Sequence, residues 1–342
     1  VGVVVPATFA GEVACAILRG GSSAPLQPSV FLPGQGQADR SVHHVPQQFH
    51  LRGQYRSRIV TIRDVRCRPG HAEPSGEETS PVHALIFARA GMYLKQLGSQ
   101  TMVADANHVL FENPGDAYRI RHPSGAGDDC TVFAFSRPVV LEAAEGLDPR
   151  ARERGRWDFP APHALVSTTS CLLQHELARA LHDGAPDPVA LDECALELLR
   201  SALGSLRADR RPATRREEVT AEVHRQQASA VKELLNRHLG EPLTLADIAE
   251  RVHVSAFHLA RVFRRQAGVP IHVYLRRLRL RAALERLADG EEDLTRLGLE
   301  LGFASHSHFT ESFRREFGAP PSEIRRRWRL RQMREAGRRL AV

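Results

Sequence analysis

Two stretches near the end of the chain read as one pattern written twice: TLADIAERVHVSAFHLARVFRRQAGVP at 244–270 and DLTRLGLELGFASHSHFTESFRREFGAPP at 293–321. Ser255 matches Ser305, Leu259 matches Phe309, Phe263 matches Phe313, Arg264 and Arg265 match Arg314 and Arg315, and Gly268 and Pro270 match Gly318 and Pro320, all 50 residues apart. Ile248 with Leu297 and Ala249 with Gly298 align at 49, so the second copy has a turn one residue longer. Such self-similarity marks one supersecondary unit used twice. Each copy reads helix, tight turn, helix. Thr244 and Asp247 have the spacing of a capping box, and Leu245, Ile248 and Val252 form one apolar helical face. Ala249 and Gly298 are small where two helices must cross. Gly302 suits a turn with positive φ, and His253 takes that place in the first copy, a residue type that tolerates it. Ser255 and Ser305 are natural N-caps for the second helix, which buries Leu259, Val262 and Phe263 in one copy and Phe309 and Phe313 in the other. Gly268 and Gly318 end these helices, and Pro270 and Pro320 restart the chain.

Between the copies, 270–289 reads as one helix with an apolar stripe of Leu280, Leu284 and Leu287, and with Arg276, Arg277, Arg279, Arg281 and Arg286 expected on its surface. The whole run from LADIAERVHVSAFHLARVFRRQAGVP through YLRRLRLRAALERL to LGLELGFASHSHFTESFRREFGAPPSEIRR resembles the DNA-binding domain of AraC/XylS-type bacterial regulators. The resemblance spans about 230–327 and departs at Gly298, where Ala is usual and a looser second unit is expected. It implies that the second helix of each unit enters a major groove. Residue by residue, that points to Phe257, Ala260 and Arg261 in the first unit and to His306, Ser307, Thr310 and Glu311 in the second. Arg261 would fork onto a guanine and Phe257 would touch thymine methyls, while Arg264 and Arg314 would grip phosphate. Plainer roles stand beside these: Phe257 as a packing residue, Glu311 as an orienting charge, His308 as a capping or surface residue.

The charge distribution agrees. Residues 229–342 hold 22 Lys and Arg against 14 Asp and Glu, while the rest of the 342-residue chain holds 25 against 26. A basic excess confined to one region suggests a polyanionic partner for that region alone. DNA binding is therefore expected to reside in 229–342.

Ahead of this region the periods change. Residues 1–55 are rich in Gly, Pro, Ser and Gln and read as disordered. Within 56–140, the runs Ser57–Val65, Ala84–Ala88, Val109–Phe111, Tyr118–Ile120 and Thr131–Phe135 read as strands separated by turn signals such as Asn113-Pro114-Gly115. This segment resembles the cupin-like sensor of some AraC/XylS members, which implies a β-barrel for a small-molecule effector. Residues 141–206 carry two helical stripes, Leu172, Leu173, Leu177 and Leu181, then Leu191, Ala195, Leu198, Leu199 and Leu203, separated by Pro186 and Pro188. This is a hairpin that either covers the barrel or pairs with a second copy, and a homodimer is expected. Residues 207–228 read as a charged linker, 229–330 as the DNA-binding domain and 331–342 as a basic tail. The fold class is α+β multidomain, with a cupin-like barrel and helical hairpin ahead of an all-α double helix-turn-helix domain.

Cys15, Cys67, Cys130, Cys171 and Cys194 form no C-x-x-C pair, which excludes a zinc ribbon and fits a reducing, cytoplasmic setting. No apolar run is long enough to span a bilayer, and 1–20, with Glu12 and no basic leader, makes a poor signal peptide. No nucleophile elbow, Walker loop or dinucleotide glycine motif occurs, so no enzyme activity and no cofactor are expected. Cys67, His71 and Cys130 are the residue types of a soft metal site, but compact H-x-H spacing with a following Glu is missing, and no metal is expected. The reading is a sequence-specific transcription regulator acting on double-stranded DNA under a small-molecule effector, with RNA polymerase as a further partner. The alternatives are a metal-binding cupin-type enzyme or metal sensor carrying a DNA-binding tail, and an architectural DNA binder without sequence preference.

Overall fold

The computed structural model describes residues 48–68, 73–123, 125–183, 187–206 and 215–328. Two antiparallel sheets build the front unit. One runs, in spatial order, β1 (Gln48–Arg56), β2 (Val60–Arg68), β9 (Asp128–Phe135), β4 (His83–Gly91), β7 (His108–Glu112) and β10 (His163–Leu165). The other runs β3 (Glu78–Thr79), β8 (Ala117–Arg121), β5 (Tyr93–Leu97) and β6 (Gln100–Ala104). Among the described residues the pairings leave β1, β10, β3 and β6 as sheet edges.

The six-stranded sheet is the middle layer, so its central strands are buried on both faces. Ile86, Ala88, Leu110 and Cys130 point toward the smaller sheet and meet Tyr93, Met102 and Ala104. Ile62, Leu85, Phe87, Val109, Phe111, Phe133 and Phe135 point the other way, toward helices. This double burial makes β4 and β7 read as continuous apolar runs rather than alternating ones.

The helices begin with α1 (Arg137–Ala144) and α2 (Ala151–Arg154), which lead to the hairpin α3 (Thr168–Asp183) and α4 (Pro188–Ser205). Leu177, Leu191, Leu198, Leu199, Ala202 and Leu203 of the hairpin lie in the same core as the outer face of the large sheet. The expected stripes are thus covered within the chain. Then come α5 (Arg215–Arg237), α6 (Leu245–Arg251), α7 (Ala256–Ala267), α8 (Ile271–Ala288), α9 (Leu294–Glu300) and α10 (His306–Phe317), followed by a helical segment at 321–328.

Several boundaries differ from the sequence reading. β1 begins at Gln48, inside the stretch read as disordered, because it pairs along the whole of β2; residues 1–47 lie outside the described residues, as does the tail from 329. β3, β5, β6 and β10 were not foreseen, being short and weakly patterned; β10 also interrupts the span read as purely helical and pairs with β7. Most of the expected linker is helix: α5 runs unbroken from Arg215 into the DNA-binding region, with Glu222 accepting from Arg225 and Gln226 at helical spacing. Low apolar content there marked a helix rather than coil, half-buried along most of 221–228. The helix at 270–289 appears as α8, but its arginines do not crowd the surface: Arg281 is 2% exposed, and the other four are half-buried.

Candidate nucleic-acid interface

Each helix-turn-helix unit is closed by local chemistry. The Thr244 hydroxyl accepts from Asp247 N–H, and the Asp247 carboxylate accepts from Thr244 N–H, so the capping box at α6 is complete. Ser255 and Ser305 cap α7 and α10 by accepting from the backbone N–H of His258 and His308. The turn of the first unit places His253 at φ 57°, the one non-glycine residue with positive φ among those described; Gly302 sits at 78° in the second. A Cβ at Gly302 would lie 2.8 Å from the Gly240 carbonyl oxygen, so that turn needs glycine for space as well as for conformation.

Gly298 is a compensation rather than a loosening. A Cβ there would lie 2.9 Å from the Phe309 Cβ. In the first unit the corresponding pair is Ala249 and Leu259, both buried. The smaller residue on α9 makes room for the larger one on α10, keeping the crossing volume constant. Gly298→Ala is expected to destabilise by about 1–2 kcal/mol, because overpacking outweighs the gain in helix propensity. Pairing it with Phe309→Leu should return part of that loss. Urea unfolding of the two variants checks this, and a stabilised Gly298→Ala would refute it.

The packing leaves one face of each second helix free. Phe257, Arg261 and Arg264 are exposed and Ala260 is half-buried on α7; His306, Ser307, Glu311 and Arg314 are exposed and Thr310 is half-buried on α10. Phe257 is 83% exposed, which removes packing as its role. Arg261, Arg264 and Arg314 make no ion pair among the described residues, so their donors are available to a ligand. Glu311 accepts from Arg315 at 3.1 Å, which lowers its repulsion of an anion. His308 is a helix-start residue, its ring edge-on to Phe303 at 5.4 Å. Arg265 and Arg315 are also exposed on these helices; the duplicated Arg-Arg pair is their signal in the sequence, and the resemblance does not point to them.

The spacing of the two units is set by α8. Arg279 donates to the carbonyls of Leu239, Glu241 and Gly302, at 2.8, 2.7 and 2.9 Å, bracing the segment before the first unit against the turn of the second. Two buried polar clusters then fasten α8 to the front unit. In the first, Arg281 donates to the carbonyls of Ala106 and Val166 at 3.1 and 3.0 Å and to the Asn107 side chain. Tyr274 donates to Asp105 at 2.6 Å, and the Asn107 amide donates to the Tyr274 carbonyl at 3.0 Å. Asn236 of α5 also donates to Asp105, at 2.8 Å. Burial opposes ionisation of Asp105, but His108, Tyr274 and Lys232 overcome it and hold its carboxyl low. In the second cluster, a bulge between Ala88 and Ala90 takes Arg89 out of the β4–β9 ladder. Arg89 donates to Glu285 at 2.7 Å and also pairs with Asp64, which receives Arg52 and His182 as well. His175 of α3 lies 3.2 Å from the far oxygen of Glu285, an ion pair off the line of a hydrogen bond. None of these residues was foreseen as functional; each pairs with a group too distant in sequence for any local pattern to link them.

Cys67 and Cys130 are both buried in the front unit, and His71 lies outside the described residues. Among the described residues Cys67, Cys130 and Cys171 form no disulfide, and no helix is long and apolar enough to cross a membrane.

A family described as a helix-turn-helix domain matches residues 248–327. The regulatory protein SoxS of Salmonella typhimurium is 31% identical over 104 residues, covering 30% of this chain and 97% of SoxS. The HTH-type transcriptional activator RhaS of Escherichia fergusonii is 37% identical over 91 residues, and the HTH-type transcriptional regulator ArgR of Pseudomonas aeruginosa is 38% identical over 93. The match spans 33% of the length of RhaS and 28% of ArgR, and 27% of this chain in each case.

Proposed function

This chain belongs to the AraC-type family of helix-turn-helix regulators, and from that premise we propose that it is a sequence-specific transcription regulator of double-stranded DNA whose front unit senses a small molecule. The observation that carries the reading is the pair of free helix faces, α7 and α10, presenting Phe257, Ala260, Arg261, Arg264, His306, Ser307, Thr310, Glu311 and Arg314 from one braced scaffold. The first unit reads sequence more strongly, through the fork of Arg261 and the apolar face of Phe257. Arg264 and Arg314 hold phosphate. The two polar clusters on α8 support effector control, since a change in β4 or β7 reaches the helix between the two readers. A second copy of the chain and RNA polymerase are the protein partners of this reading, the setting is the cytoplasm, and catalysis has no part in it.

The test uses the full chain. A site selected from random DNA, followed by titration of variants on it and on its single-base changes, measures the roles directly. Arg261→Ala is expected to cost about 1–3 kcal/mol and to relax preference at one base pair. Arg264→Ala should weaken all sequences alike and flatten the salt dependence. A repeated half-site would report two subunits. No preferred site at all would sink the reading in favour of an architectural binder, and loss of base preference in Glu311→Ala but not Arg261→Ala would make the second unit the reader.

A further inference from the structure

The alternation of β2 and β9 places three metal-binding side chains on one face. Cys67 stands directly opposite Asp128 across the ladder, and Cys130, two residues further along β9, shares the face of Asp128. That face looks into the space between the two sheets, where Cys130 is part of the inner core. His122 follows β8 of the other sheet and closes on the group from that side. Donor atoms of Cys67, His122 and Asp128 all lie within 4.8 Å of one another, and the Cys130 Sγ lies 2.7 Å from the second oxygen of Asp128. Cys67, His122, Asp128 and Cys130 are 3%, 1%, 5% and 6% exposed.

Three features define this group. The neighbouring Asp129, on the opposite face, meets Arg52, Arg66 and Arg68, whereas Asp128 has no Arg or Lys ion-pair partner among the described residues and faces only His122 and thiols. His122 turns its Nε2 toward Asp128 at 2.5 Å, so the ring presents that nitrogen to the group. Finally, the backbone holding Asp128 is fixed by close approach: a Cβ at Gly91, whose φ is +73°, would lie 2.3 Å from the Gly127 carbonyl oxygen. Cys67, His122 and Asp128 are prearranged and face inward, and Cys130 stands beside them with its thiol on Asp128.

We propose that Cys67, His122, Asp128 and Cys130 form a four-coordinate site for zinc. Two thiolates, an imidazole and a carboxylate are a borderline-soft set that suits zinc and not the all-oxygen shells of calcium or magnesium. Four protein donors leave no open position, so the ion has a structural or sensing role rather than a catalytic one. It ties β8 of the small sheet to β2 and β9 of the large one. Ala88 pairs with Cys130, and the next residue, Arg89, holds Glu285 on the helix between the two DNA-reading units. This site is independent of the DNA-binding reading, and it departs from the expectation from sequence that the chain binds no metal.

The experiment is metal binding by the reduced full chain after stripping with a chelator. Zinc titrated against a chromophoric competitor is expected to bind stoichiometrically, and cobalt(II) in its place should give thiolate charge-transfer absorption with the intense visible bands of a tetrahedral site. Cys67→Ser, Cys130→Ser and His122→Gln should each weaken zinc binding on the order of a hundredfold or more. Circular dichroism tells a folded variant from an unfolded one, and the cobalt spectrum of the unaltered chain decides the matter should the variants fail to fold. No stoichiometric uptake, a cobalt spectrum without thiolate absorption, or folded variants that bind zinc as tightly as the parent would each overturn the site.

Discussion

Glu285→Ala is expected to lower the stability of the full chain by about 3–5 kcal/mol, because it takes one of two carboxylates from buried Arg89 and leaves buried His175 facing no carboxylate among the described residues. Arg89 reaches Glu285 from β4, and His175 reaches it from α3. Burial alone would push the Glu285 carboxyl up, but His175 and Arg89 hold it at about 2. Burial alone would push the His175 imidazole down, but its contacts with Cys171 and Glu285 raise it to about 9. The pH dependence follows from these shifts. The contribution of His175 is complete below its unfolded value of 6.5 and is lost as pH rises through about 9. That of Glu285 is complete above 4.5 and is lost as pH falls through about 2. The parent chain should therefore lose stability between pH 6.5 and 9, and Glu285→Ala should show a smaller loss there, the part that remains coming from the Cys171 contact. Guanidinium unfolding across that range measures both effects; an unaltered pH slope in the variant would remove the ion pair as its source.

Arg281→Ala should cost about 2–5 kcal/mol and should also divide the unfolding. Its guanidinium fills space between α8 and the front unit and satisfies the carbonyls of Ala106 and Val166 and the side chain of Asn107. Truncation leaves a cavity and buried acceptors without donors, all on the boundary between the two halves. The parent chain should unfold in one transition, since the hydrophobic core that includes Leu284 of α8 and Phe309 and Phe313 of the second unit is continuous with Phe133 and Leu177 of the front unit. In the variant the halves should separate, giving two transitions by calorimetry. Arg281→Met keeps most of the volume and should lose only the hydrogen bonds, about 1–3 kcal/mol. A single transition at the parent midpoint in Arg281→Ala would show that other contacts alone join the halves.

The same boundary explains what could be read early and what could not. The duplicated units and the caps at Thr244, Ser255 and Ser305 follow from periods and spacings of a few residues, because capping and helical amphipathicity are short-range effects, while Arg261 and Arg314 are singled out by the resemblance to AraC/XylS-type regulators. The roles of Arg279, Arg281 and Glu285 do not. As a string, 270–289 offers a stripe of leucines among many arginines, and an arginine that reaches DNA looks the same as one that reaches a carbonyl 40 or 175 residues away. The low apolar content of 215–228 likewise says only that the segment has no large apolar stripe of its own, and its helical state rests on continuity with Val231 and Leu235, which are buried in the core of the first unit. Cys67, His122, Asp128 and Cys130 show no metal-ligand spacing in the sequence; antiparallel pairing of β2 with β9 and the packing of one sheet over the other bring them together. The sequence by itself determined the two DNA-reading units, because each closes on its own neighbours. Only the tertiary structure decided how those units are held to the front of the chain, because that depends on buried charges whose partners are chosen by packing between distant segments.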